Sequence, residues 1–286
     1  MKKKIRLGFT DFGMSPDWFI SILSQKYDVV RDDNDPHILI FGDENFGNKN
    51  ESYDSAKVFK VFFTGENRRF WNYKCHAAIT FDHIDEPYHF RLPLYVHEIN
   101  SLVNEQGFST PFNLPEPAEK TGFASFVVSN PNSEKRNQLF NLLNNYKKVD
   151  SAGPLFNNIG YVIPRPTSAK IDFLRTRKFH LAFENSSYPG YITEKIIQAA
   201  YARTVPIYWG STTLEMDFNP EAVINWHDYR DDHLFLKRVI EVDSNDDLYY
   251  HMLNQPLFRG NKPNKFMDME VFLTWWDSMI MTRINL

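Results

Sequence analysis

Residues 178–197, KFHLAFENSSYPGYITEKII, run from a strand through a turn into a helix. This order constrains the fold more than any other stretch of the chain. His180–Phe183 is an apolar run of strand length, and Pro189-Gly190 is turn punctuation. Thr193 is placed to cap a helix whose inner face is Ile196, Ile197, Ala200 and Tyr201. A strand that feeds a helix needs neighbouring strands to pair with and a sheet face to cover, so an α/β architecture is expected. The first helical turn carries Glu194 and Lys195. Free backbone N–H groups with a lysine beside them suit a diphosphate, and the helix dipole also favours an acid there.

The same alternation occurs on both sides of this stretch. Ile5–Phe9, Asp28–Val30, Ile38–Phe41, Val58–Phe63 and Ala77–Phe81 read as strands, with a helix over Asp17–Lys26. Arg91–Tyr95 ends the first series. The segment through Pro111-Phe112-Asn113-Leu114-Pro115-Glu116-Pro117 is the best candidate linker. A second series comes after it, with strands at Phe123–Val128, Phe179–Phe183, Val205–Tyr208 and Val223–Asn225. Its helices are expected at Ser133–Tyr146, Thr193–Ala202, Leu234–Val242 and Leu248–Asn254, and the apolar tail Phe266–Ile284 adds one or two more. The expectation is two Rossmann-like domains facing a cleft, 1–116 and 117–286, with a tail able to pack back on the first. Ligands in open α/β sheets sit at the carboxyl ends of the strands.

Composition narrows the function classes. A chain of 286 residues with 25 Phe can bury one large core or two ordinary ones. A net charge of −4 and a pI near 6.1 give no bulk attraction to nucleic acid. One cysteine, Cys75, excludes an internal disulfide and a cysteine zinc cluster, which fits a reducing compartment. The basic start Met1–Lys4 is followed by a run broken by Arg6, Asp11 and Asp17, so it reads as a first strand and not as a signal peptide. No uninterrupted apolar stretch reaches membrane-spanning length.

Six residues stand out as candidates for chemistry. Glu66 ends a strand in Thr64-Gly65-Glu66-Asn67, where a carboxylate suits a general base; pairing with Arg68 or Arg69 is the alternative. Arg136 lies at a helix start after a strand, where a guanidinium suits a phosphate; a solvated basic patch is the alternative. Asn185, Tyr191, Glu194 and Lys195 share the opening stretch, with a solvated turn and helix start as their alternative. Asp33-Asn34-Asp35, Asp231-Asp232 and Asp246-Asp247 read as turns and caps, and no metal spacing occurs among the nine histidines. No G-x-G-x-x-G, P-loop lysine or G-x-S-x-G is present.

Three pieces then occur in order: Phe183-Glu184-Asn185-Ser186, Tyr191-Ile192-Thr193-Glu194-Lys195 and Val205–Ser211. Together they closely resemble the signature of the α1,3/α1,4-fucosyltransferases of glycosyltransferase family 10. Phe62–Asn67, Arg91–Tyr95, Gly122–Phe126 and Asp217–Pro220 resemble the Helicobacter-type bacterial members. The resemblance implies a GT-B fold. It also implies inverting transfer of L-fucose from GDP-β-L-fucose to the GlcNAc O3 of a LacNAc-type oligosaccharide or glycolipid, giving a Lewis x type product. Glu66 matches the family base. Arg136 and Lys195 match the diphosphate contacts, Glu194 the acid near fucose and ribose, and Asn185 and Tyr191 the donor site. No tightly bound cofactor is implied, and a divalent cation is expected at most to stimulate. A cytoplasmic bacterial enzyme is expected, with at most peripheral contact at the inner membrane, acting on lipopolysaccharide O-antigen glycan. An α1,4 or relaxed acceptor linkage, or a nucleotide-sugar-binding protein without turnover, is the alternative.

Overall fold

In the computed structural model the chain is described over residues 2–164 and 167–284; Met1, Arg165, Pro166, Asn285 and Leu286 lie outside that description. Packing divides the chain into two compact units, Met1–Pro93 with Pro263–Leu286, and Leu94–Lys262.

The first unit is built on six strands: β1 Lys4–Thr10, β2 Asp28–Arg31, β3 Ile38–Phe41, β4 Phe59–Phe63, β5 Ala77–Thr80 and β6 His89–Arg91. They pair in the order β2-β1-β3-β4-β5-β6, every pair parallel. All residues of β3 and β4 are buried, as expected of central parallel strands covered on both faces. Helix α1, Asp17–Ser24, connects β1 to β2 and buries Trp18, Phe19, Ile22 and Leu23. The connections from β3 to β4 and from β4 to β5 carry single 3-10 turns, at Lys49–Ser52 and Phe70–Asn72. The sequence reading missed β6, because three residues ending in Arg91 do not form an apolar run.

The second unit begins with α2, Leu94–Asn100, and continues β7 Gly122–Phe126, α3 Glu134–Tyr146, β8 Val149–Ser151, α4 Thr167–Leu174, β9 Arg177–Phe183 and α5 Glu194–Tyr201. Strands β10 Val205–Trp209 and β11 Ile224–Asn225 and helices α6 Asp232–Ser244 and α7 Asp246–Leu253 complete it. The sheet order is β11-β10-β9-β7-β8, again all parallel. Counted within each unit, the first five strands are wound alike, 2-1-3-4-5. The order therefore reverses between β1 and β3 in the first unit and between β7 and β9 in the second. Those reversals are where doubly wound sheets open for ligands. Asp231 caps α6 by accepting from the Leu234 N–H at 2.8 Å, and Asn245 caps α7 through Leu248 N–H at 3.0 Å. Strand β8 and helix α4 were not anticipated, since both are short and only weakly patterned.

The division by packing differs from the expected 1–116 and 117–286, for a physical reason at each end. Residues 94–116 bury apolar surface inside the second unit. Tyr95 is fully buried, and its hydroxyl donates to Asp217 Oδ1 at 3.0 Å. Gln198 donates to Glu98 at 2.8 Å, and Phe112 lies 5.5 Å from Phe258. The tail belongs to the first unit through helix α8, Met269–Trp276. Its Phe272 is fully buried against Trp18, Phe19 and Phe90, and Trp275 Nε1 donates to the Pro87 carbonyl at 2.9 Å. Asp277, just beyond, accepts from Tyr27 and Lys26. Burying a side chain such as Phe272 is worth about 2–3 kcal/mol.

Candidate active site

Five of the six candidate residues come together at the reversal between β7 and β9. Helix α3 starts after β7 and carries Arg136 in its first turn, with its side chain fully buried. The guanidinium donates to Asn185 Oδ1, which lies just after β9, and to the Asn130 carbonyl, which lies just after β7. Both partners are neutral. No carboxylate pairs with Arg136 among the described residues, and its Nε is buried without a hydrogen bond. Burial lowers the guanidinium's pKa, opposed by Glu184 and Tyr191. An arginine stays charged regardless, so this is a desolvated cation that its own protein has not neutralised.

A second cation sits at the start of α5, and its surroundings differ. Lys195 Nζ donates to Glu184 Oε2 at 2.9 Å, to Thr193 Oγ1 at 2.7 Å and lies 3.1 Å from Glu194 Oε1. Burial works against the charged ammonium, but Glu184 and Glu194 outweigh it and raise its pKa. Glu184 continues the β9 ladder through its N–H to the Trp209 carbonyl, and its side chain has no exposed surface. It accepts from Thr193 N–H at 2.8 Å and from Thr193 Oγ1 at 2.7 Å. Burial pushes the Glu184 carboxyl up, against the pull of Lys195. Burial also opposes ionisation of Glu194, yet Lys195 and then Lys170 bring it down to about 2. Lys170, on α4, is pulled down by burial and supported by Glu194.

This arrangement corrects two details of the sequence reading. Thr193 occupies the N-cap position, but its hydroxyl serves Glu184 and Lys195 and makes no cap hydrogen bond. Free backbone N–H groups are expected at this helix start, and that of Thr193 is taken by the Glu184 carboxylate. Sequence reasoning passed over Glu184 and Lys170. The available signal for Glu184 was an acid directly after the run His180–Phe183, with a lysine eleven positions on.

Tyr191 is buried in the loop before α5. Its carbonyl accepts from the buried Tyr208 hydroxyl at 3.2 Å, and that hydroxyl accepts from Ser211 N–H at 2.9 Å. Two glycines are required here. Gly190 has φ +78°, and its N–H donates to Ser211 Oγ and Thr213 Oγ1 at 2.9 and 3.0 Å. A Cβ on Gly210 would lie 2.4 Å from Glu184 Cγ and 2.6 Å from the Tyr208 hydroxyl. Beside the cluster lies a pocket of about 390 Å³ with Val128, Ser129, Gly153, Lys170 and Gln198 in its wall. Among the described residues, no group of three or more His, Cys, Asp or Glu could hold a metal ion, and no helix is long and apolar enough to cross a membrane.

Glu66 belongs to the first unit, exposed in the turn after β4. The Thr64 hydroxyl accepts from Glu66 N–H at 3.0 Å and donates to the buried Asp43 at 2.9 Å, which fixes the turn. Nearby Arg68 pairs with Glu44 at 3.2 Å, and Arg69 pairs with Asp82 and Asn67.

Two doubly wound parallel-sheet units of this kind make a GT-B type fold. A crystal structure of an α1,3-fucosyltransferase superposes with a TM-score of 0.78 at 25% identity, covering 98% of this chain and 91% of that one. A crystal structure of α1,3-fucosyltransferase with GDP-fucose gives 0.75 at 25% identity, covering 100% and 93%. Two family models match in tandem. The alpha-(1,3)-fucosyltransferase FucT N-terminal domain matches residues 7–97, and the C-terminal region of glycosyltransferase family 10 (fucosyltransferase) matches residues 117–255. The chain belongs to glycosyltransferase family 10. The alpha-(1,3)-fucosyltransferase FucT of Helicobacter pylori is 33% identical, over 81% of this chain and 54% of that protein. Human 4-galactosyl-N-acetylglucosaminide 3-alpha-L-fucosyltransferase 9 is 31% identical, over 58% and 46%. The chain thus spans about half the length of these two curated relatives.

Proposed function

We propose that this chain is an inverting fucosyltransferase that moves L-fucose from GDP-β-L-fucose to the GlcNAc O3 of a LacNAc-type glycan, a Lewis x type linkage. The observation that carries the reading is Arg136, a buried guanidinium held by two neutral oxygens at a strand-order reversal. A buried cation without a counter-charge is costly, and a diphosphate supplies that charge with bidentate geometry. Lys195 adds a second cation, and Asn185, Tyr191 and Glu194 complete the donor side. A relative of this fold has been crystallised with GDP-fucose, which supports the same donor here.

In this reading Glu66 is the general base. It takes the proton of the acceptor hydroxyl while that oxygen attacks C1 of fucose from the face opposite the GDP. The C1–O bond to the diphosphate breaks, and GDP leaves with the electron pair. Attack on the opposite face turns the β-linked donor into an α-linked product, with no covalent enzyme intermediate. Arg136 and Lys195 stabilise the charge that gathers on the departing diphosphate, and added divalent cation is a stimulant at most.

The test is incubation with GDP-fucose and either LacNAc or lacto-N-biose, with product linkage read by NMR. Fucose on O3 of the LacNAc GlcNAc is expected. Transfer chiefly to lacto-N-biose would move the linkage to O4. A folded chain that binds GDP-fucose but transfers to neither would overturn the catalytic reading.

A further inference from the structure

An ammonium group has three N–H donors. Two of those of Lys195 go to Glu184 Oε2 at 2.9 Å and Thr193 Oγ1 at 2.7 Å, and Glu194 Oε1 pairs with the same ammonium at 3.1 Å. With all three partners in place, the ammonium is already flanked by two carboxylates and a hydroxyl, so a phosphate oxygen competes with them for it. The three are not equally replaceable.

Glu184 is locked. Its carboxylate has no exposed surface, and both its oxygens also accept from Thr193, through the backbone N–H and the hydroxyl. Withdrawing Lys195 from it would strand a buried carboxylate without its hydrogen-bonded ammonium, which is strongly disfavoured. Thr193 is held between Glu184 and Lys195 and is itself buried. Glu194 is different: its side chain is 28% exposed, and its 3.1 Å approach is the longest of the three. Lys170 on helix α4 also favours its charged form.

Resting on the donor-site reading above, we propose that Lys195 works by carboxylate-for-phosphate exchange. Glu194 is the anion that leaves when the donor diphosphate arrives, and Glu184 is the positioning residue that holds the ammonium in place through the exchange. Arg136, whose partners are neutral, undergoes no such exchange.

A double-mutant cycle on the full chain tests this, reading the affinity for inorganic diphosphate, which lacks ribose and sugar, by calorimetry. Glu194→Gln removes the competing anion and tightens diphosphate about three- to fivefold, the range expected of a partly exposed ion pair. Lys195→Gln weakens diphosphate. In the Lys195→Gln background, Glu194→Gln brings no gain, because the site of exchange is gone. Thermal melts establish that each variant is folded, and Glu184→Asp, which shortens the anchor but keeps its charge, weakens diphosphate without unfolding the chain. An equal gain from Glu194→Gln with or without Lys195 would mean long-range repulsion and would overturn the exchange. So would unchanged or weaker binding in Glu194→Gln while Lys195→Gln weakens binding, and the donor-site reading would then stand. A folded wild-type chain that binds no diphosphate would defeat both.

Discussion

The two units share a strand order, yet their carboxyl edges are furnished in opposite ways. In the second unit, helices come directly after β7 and β9, and their first turns bring Arg136, Glu194 and Lys195 to the strand-order reversal. There a buried guanidinium is left without a carboxylate among the described residues. In the first unit, irregular connections come after β3 and β4, and the acids at the edge are consumed internally. Asp11, at φ +50°, accepts from Lys49 N–H, Asn50 N–H and Asn50 Nδ2 at 2.9, 2.7 and 2.9 Å. Asp43 accepts from Thr64, and Asp82 from Thr80 and Arg69. Glu66 is exposed at that edge. One winding thus supports a buried cationic cluster in one unit and acids held in braced turns in the other. The difference lies in the connections: α3 and α5 follow β7 and β9, whereas of β1, β3 and β4 only β1 is followed by an α-helix, α1.

The strongest way to break this contrast is to remove the presented acid. Glu66→Ala should lower turnover by about 10²–10⁴, the usual worth of a general base, while GDP affinity stays within about twofold of wild type. Steady-state kinetics alongside calorimetry separate the two effects. Near-normal turnover would remove Glu66 from the role of base.

Next comes the buried cation. Arg136→Met keeps bulk and removes charge, and it should weaken GDP-fucose binding by about 100-fold, as charge-assisted bonds to a desolvated diphosphate require. The Asn185 and Asn130 oxygens would lose their donor in the same variant. Asn185→Ala is therefore the companion measurement, and it should cost much less. Equal losses would mean that Arg136 serves mainly to join the two strand ends.

Whether a feature is legible in the sequence depends on how local its causes are. The apolar run Ile38–Phe41 matches its observed limits and Val58–Phe63 comes within one residue of them, because burial on both faces of a parallel sheet imposes such a run. Arg136, Asn185, Tyr191, Glu194 and Lys195 are legible as neighbours because strand-to-helix order places them on adjacent loops. Glu184 is not, because nothing local distinguishes an acid that ends a strand in solvent from one that continues into the interior. Its burial depends on Gly210, 26 residues away, leaving room for its Cγ. The packing limits are illegible for a related reason. The Pro-rich segment around Pro115 has the composition of a linker, while the burial of Tyr95 and Phe272 comes from tertiary contacts with no sequence period.

That dependence on Gly210 can be sharpened. In Gly210→Ala the new methyl would meet both Glu184 and the Tyr208 hydroxyl. Neither can withdraw freely, because each is buried and hydrogen-bonded. The second unit should lose about 2 kcal/mol, in the range of overpacked cores, read as earlier urea unfolding of that unit. Protection of the β1–β6 sheet against hydrogen exchange should be unchanged.

The smallest effect is a pH response, and it tests whether each unit keeps its own buried neutral histidine. In the first unit His89 is buried against Phe70, with Nε2 2.9 Å from Thr80 Oγ1 and Nδ1 3.3 Å from the Ile84 carbonyl. Burial pulls its pKa down to about 4. In the second unit His180 is pulled well below its usual range by burial and by Lys170, with Ser125 Oγ 3.0 Å from Nδ1. For His89 the folded value lies below the unfolded value of about 6.5. The unfolded chain therefore takes up the proton first as pH falls. The stabilisation is complete above about pH 6.5 and drains away toward pH 4. Between pH 7 and 5.5 the first unit should lose about 1 kcal/mol from this source, visible as faster hydrogen exchange in β5 and β6. His89→Gln should flatten that response in the first unit and leave the exchange of β9 and its pH dependence as they were. A flattening in both units would mean that they open together and would end the description of two independently titrating sheets.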